Sequence, residues 1–194
     1  NTRALLIGER LALNTMQRMS GIATLSARFV AEVSDLPVTI LDTRKTTPLL
    51  RFIEKQAVAI GGCQNYRDGL YDWIMIKDNH IDACGSVKKA ISSVNEYLTE
   101  NKLDLGITVE DRNLVELYEV MEVGGITRIM LDNFELPIMR EAVAAVDGRF
   151  ETEASGGIDI HSVRKVALTG VDYISVGALT HSASHLDLSL KVMK

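Results

Sequence analysis

Cysteine is scarce in this chain, with two in 194 residues. Cys63 and Cys84 stand too far apart for a close-spaced metal or redox motif. So few thiols in a chain this long point to a reducing cytosol rather than a disulfide scaffold. Long hydrophobic runs are missing too: no stretch approaches the roughly 18–20 apolar residues that cross a bilayer, so no membrane partner is expected. Nor is there an excess of positive charge. The formal net charge is −5, which argues against a general nucleic-acid binder. The start, NTRALLIGER, has neither an initiator Met nor the apolar stretch of a signal peptide, so the chain is read as beginning inside a longer protein.

What is present is a composition fit for one sizeable core, 46% hydrophobic and 24% charged. The charge is unevenly spread. Residues 1–80 hold 10 Lys/Arg against 8 Asp/Glu, whereas 81–194 hold 11 against 18. Residues 9–33 show helical periodicity, with Ala12, Met16, Met19, Ala23, Ala27 and Val30 on one stripe and Gly21 interrupting it for close packing or a bend. After Pro37 short apolar runs alternate with helical patterns. The strand candidates are VTILDTRK, WIMIKDN, LGITVED, RIMLDN, FETEASGG and YISVGA, with AVAIGG a weaker seventh. Helical candidates lie near 48–58, 86–100, 112–123, 136–146 and 160–169, the last with Asp159 as its N-cap and Gly170 past its end. Strand–helix alternation of this kind implies parallel pairing with both sheet faces covered.

The strands finish in polar residues: Asp42-Thr43-Arg44-Lys45, Lys77-Asp78-Asn79, Glu110-Asp111, Asp132-Asn133, Ser155-Gly156-Gly157 and Gly177-Ala178. From Glu110 the ends recur about every 22 residues, at 110, 132, 155 and 177. In a β/α barrel all such ends open on one face, so these groups would converge on one pocket. An open doubly wound sheet also binds ligands at strand ends, but does not naturally gather six of them. The expected organisation is a linking helical segment over 1–35, a barrel over 36–184, and a C-terminal strand over 185–194.

Arg44, Lys45, Arg67 and Lys77, with Arg10 as a possible addition, form a cationic set suited to a polyanion. Glu110 and Asp132 end neighbouring strands and suit Mg²⁺ that keeps waters and bridges to phosphates; a salt bridge to those cations is the plainer alternative. Asp42 and Asp78 are assigned to orienting the adjacent bases. EASGGIDI and SVGALTHS place Ser155, Gly156, Gly157, Gly177 and Ala178 where backbone N–H groups and a helix N-terminus favour phosphate, against the alternative of plain tight turns. His181 and His185 have i, i+4 spacing but lack the metalloprotease glutamate and a third ligand, so zinc is set aside. His80 is a rim residue, His161 helix surface, and Trp73 and Tyr71 packing residues.

In order along the chain, ERLALNTMQRMSGIAT, ILDTRKTTP, GGCQNYRDGLYD, IKDNHI, IMLDNF, EASGGI and GVDYISVGALTHS together resemble the C-terminal part of the quinolinate phosphoribosyltransferase family, also called nicotinate-nucleotide pyrophosphorylase (carboxylating). The resemblance implies an incomplete, about seven-stranded α/β barrel. It implies transfer of phosphoribose from phosphoribosyl pyrophosphate to quinolinate with Mg²⁺, giving nicotinate mononucleotide, pyrophosphate and CO₂. By position, Arg10, Arg44, Lys45, Tyr66, Arg67 and Lys77 match the family's acceptor pocket. Glu110 and Asp132 match its acidic pair, and Ser155, Gly156, Gly157, Gly177 and Ala178 its 5′-phosphate loops. Lys45, Lys77, Glu110 and Asp132 are the catalytic candidates. Two departures stand out. The family has His where this chain has Tyr66, which donates a hydrogen bond but supplies no cation at neutral pH. The family's N-terminal α/β sandwich, which closes the other subunit's pocket in a homodimer, is almost wholly absent from these residues. Two other readings remain: a lysine Schiff-base aldolase using Lys77, and a barrel that binds a phosphorylated ligand without chemistry.

Overall fold

The computed structural model describes residues 1–191. Six strands form one parallel sheet: β1 (Thr39–Leu41), β2 (Ile74–Ile76), β3 (Ile107–Asp111), β4 (Arg128–Asp132), β5 (Glu151–Ser155) and β6 (Tyr173–Ser175). The spatial order is β1-β6-β5-β4-β3-β2, so the sheet curls with first and second strands at its two edges. Most strand interiors are buried, as in Thr108 and Val109 of β3 or Ile129 to Leu131 of β4, because helices cover the outside and side chains fill the inside; Met75 of β2, which is half-buried, is an exception. Among the described residues no helix is long and apolar enough to cross a membrane.

The seventh strand is not formed. AVAIGG lies in α2 (Arg51–Ile60) and its C-cap Gly61, with Ala57 and Val58 buried on the helix face. A short apolar run cannot by itself distinguish strand from buried helix. In the seventh place stands a single bridge, Leu41 to Gln64, in which Gln64 N donates to Ile40 O (2.9 Å) and Asp42 N to Gln64 O (3.1 Å). The barrel therefore stays open between Gln64 and β2.

The remaining helices are α1 (Thr2–Glu32), α3 (Asp78–Cys84), α4 (Val87–Glu100), α5 (Leu114–Val123), α6 (Leu136–Val146), α7 (Val163–Ala167) and α8 (Ala178–His181). α1 begins earlier than periodicity suggests because Asn1 caps it, accepting from Arg3 N and Ala4 N. Its buried face is Leu13, Gly21, Ile22, Ser26 and Phe29, rotated from the predicted Ala/Met stripe: Met16 is exposed. The larger Ile22 and Phe29 decide which side turns inward. Gly21 admits a backbone crossing, since a Cβ there would lie 1.8 Å from Ser184 O. Ser162, not Asp159, stands at the N-cap position of α7 but makes no side-chain cap bond; the Asp159 carboxylate accepts from the amides of His161 and Ser162 in the turn before it. α8 ends at His181, so His181 and His185 do not share a helix face. Residues 182–191 run without a strand beside α1, Leu186 N donating to Gln17 O and Gln17 Nε2 to Leu188 O. The remainder of the anticipated C-terminal strand, 192–194, lies outside the described residues.

Candidate active site

A cavity of about 730 Å³ opens at the C-terminal ends of the strands. Its wall takes Arg44 and Lys45 from the exit of β1, Lys77 from β2, Glu110 from β3, Asp132 from β4, Ser155 to Gly157 from β5, and Gly177 and Ala178 from β6. Tyr66 and Arg67 enter from the loop beyond the Gln64 bridge. Twelve of the thirteen residues singled out by sequence thus share one space. The exception is Arg10, which sits exposed on α1 and is not part of this lining.

Positive charge is concentrated on one side and is short of partners. Arg44 Nε is buried without a hydrogen-bond acceptor among the described residues. Arg67 donates to Trp73 O (3.2 Å) and, at 3.6 Å, to the Met75 sulfur, a poor acceptor. Burial first, then the neighbouring Arg44 charge, push the Arg67 pKa below its ordinary value. Desolvated guanidinium groups held beside one another favour an incoming anion. Asp42 does not neutralise them. It lies fully buried and pairs with Lys55 on α2, Lys55 Nζ donating to it at 2.5 Å and Tyr66 N at 2.8 Å. Burial raises the Asp42 pKa, against the opposing pull of Lys55.

Opposite lie the two carboxylates. Glu110 is engaged by Lys77 Nζ in a close ion pair. Asp132 accepts from Ser155 Oγ and from Asn133 Nδ2, both at 2.7 Å, which fixes its orientation. Asp78 opens α3 with its carboxylate on Asn79 N (2.6 Å), and His80 Nδ1 accepts from Lys77 N (2.9 Å). The polar run that follows β2 therefore serves two ends: Lys77 faces the cavity, while Asp78 and His80 start the helix behind it.

Gly156 has φ of +99°, and a Cβ there would lie 2.2 Å from Asn133 Oδ1 and 2.9 Å from Asn133 N, so only glycine fits. With Gly157 also at positive φ, backbone lines the cavity directly. The helix N-terminus expected behind this turn is not there, because α7 starts only at Val163. Any anion affinity of this loop belongs to its backbone N–H groups.

Tyr66 is the residue whose surroundings differ most from expectation. Its hydroxyl lies 2.6 Å from Thr108 Oγ1, its ring meets Trp73 edge-on, and the Arg128 guanidinium packs 5.2 Å from its centroid. It forms cavity floor, with its polar tip already committed. Trp73 packs there too, donating from Nε1 to Thr108 Oγ1 (2.8 Å), whereas Tyr71 is 71% exposed and is not a packing residue. Sequence reasoning passed over Met75 and Met130, named Thr43 only as part of a strand end and Asp159 only as a helix cap, and treated His181 only as a metal candidate, yet all five line the cavity. The methionines and His181 carry no positional signal of their own.

A six-stranded parallel α/β sheet curled around a pocket lined by strand-end side chains defines a protein of the open α/β-barrel class. A family model, quinolinate phosphoribosyl transferase, C-terminal domain, matches residues 22–191. The chain belongs to that family. It is 51% identical over 203 residues to quinolinate phosphoribosyltransferase [decarboxylating] 1b of Nicotiana tabacum, covering 97% of this chain and 57% of that protein. It is 47% identical over 206 residues to the chloroplastic nicotinate-nucleotide pyrophosphorylase [carboxylating] of Arabidopsis thaliana, covering 99% and 59%. Among solved structures, NadC from Streptococcus pyogenes superposes with a TM-score of 0.91 at 43% identity, over 98% of this chain and 65% of that one. The chain thus spans somewhat more than half the length of these curated relatives.

Proposed function

We propose that this chain carries the catalytic barrel of a quinolinate phosphoribosyltransferase, joining quinolinate to phosphoribosyl pyrophosphate and releasing pyrophosphate and CO₂ in the synthesis of a pyridine nucleotide. The observation that carries the reading is the under-bonded cation group, above all the buried Arg44 Nε without an acceptor. A pyridine dicarboxylate supplies two carboxylates to such a group, and guanidinium forks match them.

In this reading Arg44, Arg67 and Lys77 hold the acceptor, with Lys45 reaching towards the phosphates. The backbone at Gly156, Gly157, Gly177 and Ala178, with Ser155, receives the 5′-phosphate. Arg10 stands exposed on α1, outside this chain's own cavity, so its part in acceptor binding is the one role the cavity lining does not support. As the bond to the leaving group stretches, positive charge grows at the ribose C1, and the Glu110 and Asp132 carboxylates stabilise it. Glu110 must part from Lys77 as the acceptor enters, which frees Lys77 for an acceptor carboxylate. Once the ring nitrogen is alkylated it is cationic and stabilises, as an ylide, the electron pair left on the adjacent ring carbon when its carboxylate leaves as CO₂; that carbon then takes a proton from water.

Among the described residues no cluster of three or more metal-ligating side chains exists, so a cage made only of protein ligands does not fit. Two oriented carboxylates facing a phosphate loop do fit Mg²⁺ that arrives hydrated and shared with a pyrophosphate. Glu110 and Asp132 would hold it, through water, and it would supply charge neutralisation of the leaving group. A homodimer is part of the proposal, and light scattering on the intact protein tests it.

The primary test is calorimetric titration of the intact protein with quinolinate and, as monoanion control, nicotinate. Binding of quinolinate that is at least about tenfold tighter, and weakened at least about tenfold by Arg44→Ala, is the expected outcome. Turnover of quinolinate unaffected by Arg44→Ala or Lys77→Ala overturns the assignment.

A further inference from the structure

The loop that follows β1, residues 42–50, carries Arg44 and Lys45 but has no regular secondary structure to fix it. A buried knot of polar groups does so instead. Glu54, on the first turn of α2, is fully buried and accepts from Thr47 N (3.0 Å), Thr47 Oγ1 (2.7 Å) and, on α1, Arg18 Nε (2.9 Å). The Arg18 guanidinium also reaches the other end of the chain: Nη1 donates to Ala183 O (2.9 Å), and Nη2, itself 2.8 Å from Glu54 Oε1, donates to Thr180 O. Thr180 Oγ1 then donates to Lys45 O (2.8 Å) and makes a longer contact with Gly177 O (3.2 Å). The circuit closes through α1, the β1–α2 loop and α8, and none of Arg18, Glu54 or Thr180 lines the cavity.

Resting on the phosphoribosyl-transfer reading, we propose that Arg18, Glu54 and Thr180 form a clasp of positioning residues. It sets the spacing between the acceptor cations at Arg44 and Lys45 and the phosphate backbone at Gly177 and Ala178. A buried ion pair is a poor device for stability, because the desolvation of both charges offsets their attraction. It is a good device for geometry, since a planar guanidinium sharing a carboxylate and two carbonyls leaves little freedom to any of them. Geometry is what joining two separately bound molecules requires. A displacement of about 1 Å in such a reaction costs on the order of 100-fold in rate.

The test compares Thr180→Val, which removes the hydroxyl at nearly constant shape, Thr180→Ser, which restores it, and Glu54→Gln. Steady-state kinetics on the intact protein, run well below each variant's melting temperature, separates kcat from KM. We expect kcat to fall about 10-fold in Thr180→Val and about 100-fold in Glu54→Gln, with near wild-type kcat in Thr180→Ser and KM values moving less than about 3-fold. A lowered melting temperature with unchanged kcat marks a purely structural role and overturns the proposal. Should the wild-type protein not turn over quinolinate, the functional reading fails, and the clasp is judged by amide hydrogen exchange. Glu54→Gln is then expected to speed exchange about 10-fold at both Lys45–Thr47 and Gly177–Ala178, and not at Ser155–Gly157. Unchanged exchange at the first two overturns it.

Discussion

At the scale of single residues, a side chain's chemistry is set by which face of its strand it occupies. Glu110 and Asp111 are neighbours on β3, yet Glu110 opens on the cavity and Asp111 does not. Both Asp111 carboxylate oxygens are buried without a partner. Burial, reinforced by Glu116, pushes its pKa from 3.8 to about 8. The unfolded chain releases this proton near pH 4 and the folded one only near pH 8, so the native state binds more protons throughout that window. Stability must therefore fall as pH rises through it, by up to ~1.4 kcal/mol per pH unit from this group. Asp111→Asn keeps the shape and cannot ionise. Thermal melting should show the smallest difference between variant and wild type near pH 4 and a clearly more stable variant at pH 8; equal differences at both pH values would contradict the assignment. The identity of the cavity cations was legible at this scale from their place at strand ends. The partner of Asp42 was not, because Lys55 lies on the next helix and its approach depends on how α2 packs.

At the scale of elements, local propensity and packing pull in opposite directions on α1. Gly21 in mid-helix costs about 1 kcal/mol relative to Ala by propensity. The backbone of Ser184 nevertheless crosses so closely that a Cβ would stand 1.8 Å from its carbonyl oxygen, and neither partner is a flexible side chain. Packing wins. Gly21→Ala should destabilise by about 1–3 kcal/mol and release residues 183–188, read as faster exchange of the Leu186 amide, which donates to Gln17 O. A stabilised variant would show that the terminal segment does not dock there. The same opposition explains why α2 absorbed the apolar run anticipated as a strand. Gly61 and Gly62 end a helix as readily as they flank a strand, and only the contact of α2 with α1 settles which. A Cβ on Gly61 would lie 2.4 Å from Ala23 O.

At the scale of the whole molecule, the open seam of the barrel has to be filled from within. Arg128, at the start of β4, bonds Glu151 (2.9 Å) and Glu153 (3.0 Å) while its guanidinium packs against the rings of Tyr173, Tyr66 and Trp73 at 3.7, 5.2 and 5.3 Å. Glu153 is wholly buried, and burial raises its pKa despite that arginine. Arg128→Met leaves a buried carboxylate uncompensated and should cost about 3–5 kcal/mol in urea unfolding. Adding Glu153→Leu should recover most of the loss, since a dry apolar pair replaces a desolvated ionic one. A double variant no better than the single would show that the pair is not the element holding the seam.

The sequence by itself determined the parallel α/β class, through buried runs with polar ends alternating with helical stretches, and it determined that the polar ends of those runs would meet. The convergence follows because parallel strands joined by covering helices all finish on one side. Tertiary structure alone decided the rest. It left the barrel one strand short, turned the buried face of α1 towards Ile22 and Phe29, committed the Tyr66 hydroxyl to Thr108, and kept Arg10 out of the cavity. It also brought Arg18 to Ala183 across 165 positions of chain. Such pairings have no period or local spacing to reveal them, because they depend on distances through space between elements that the chain itself keeps far apart.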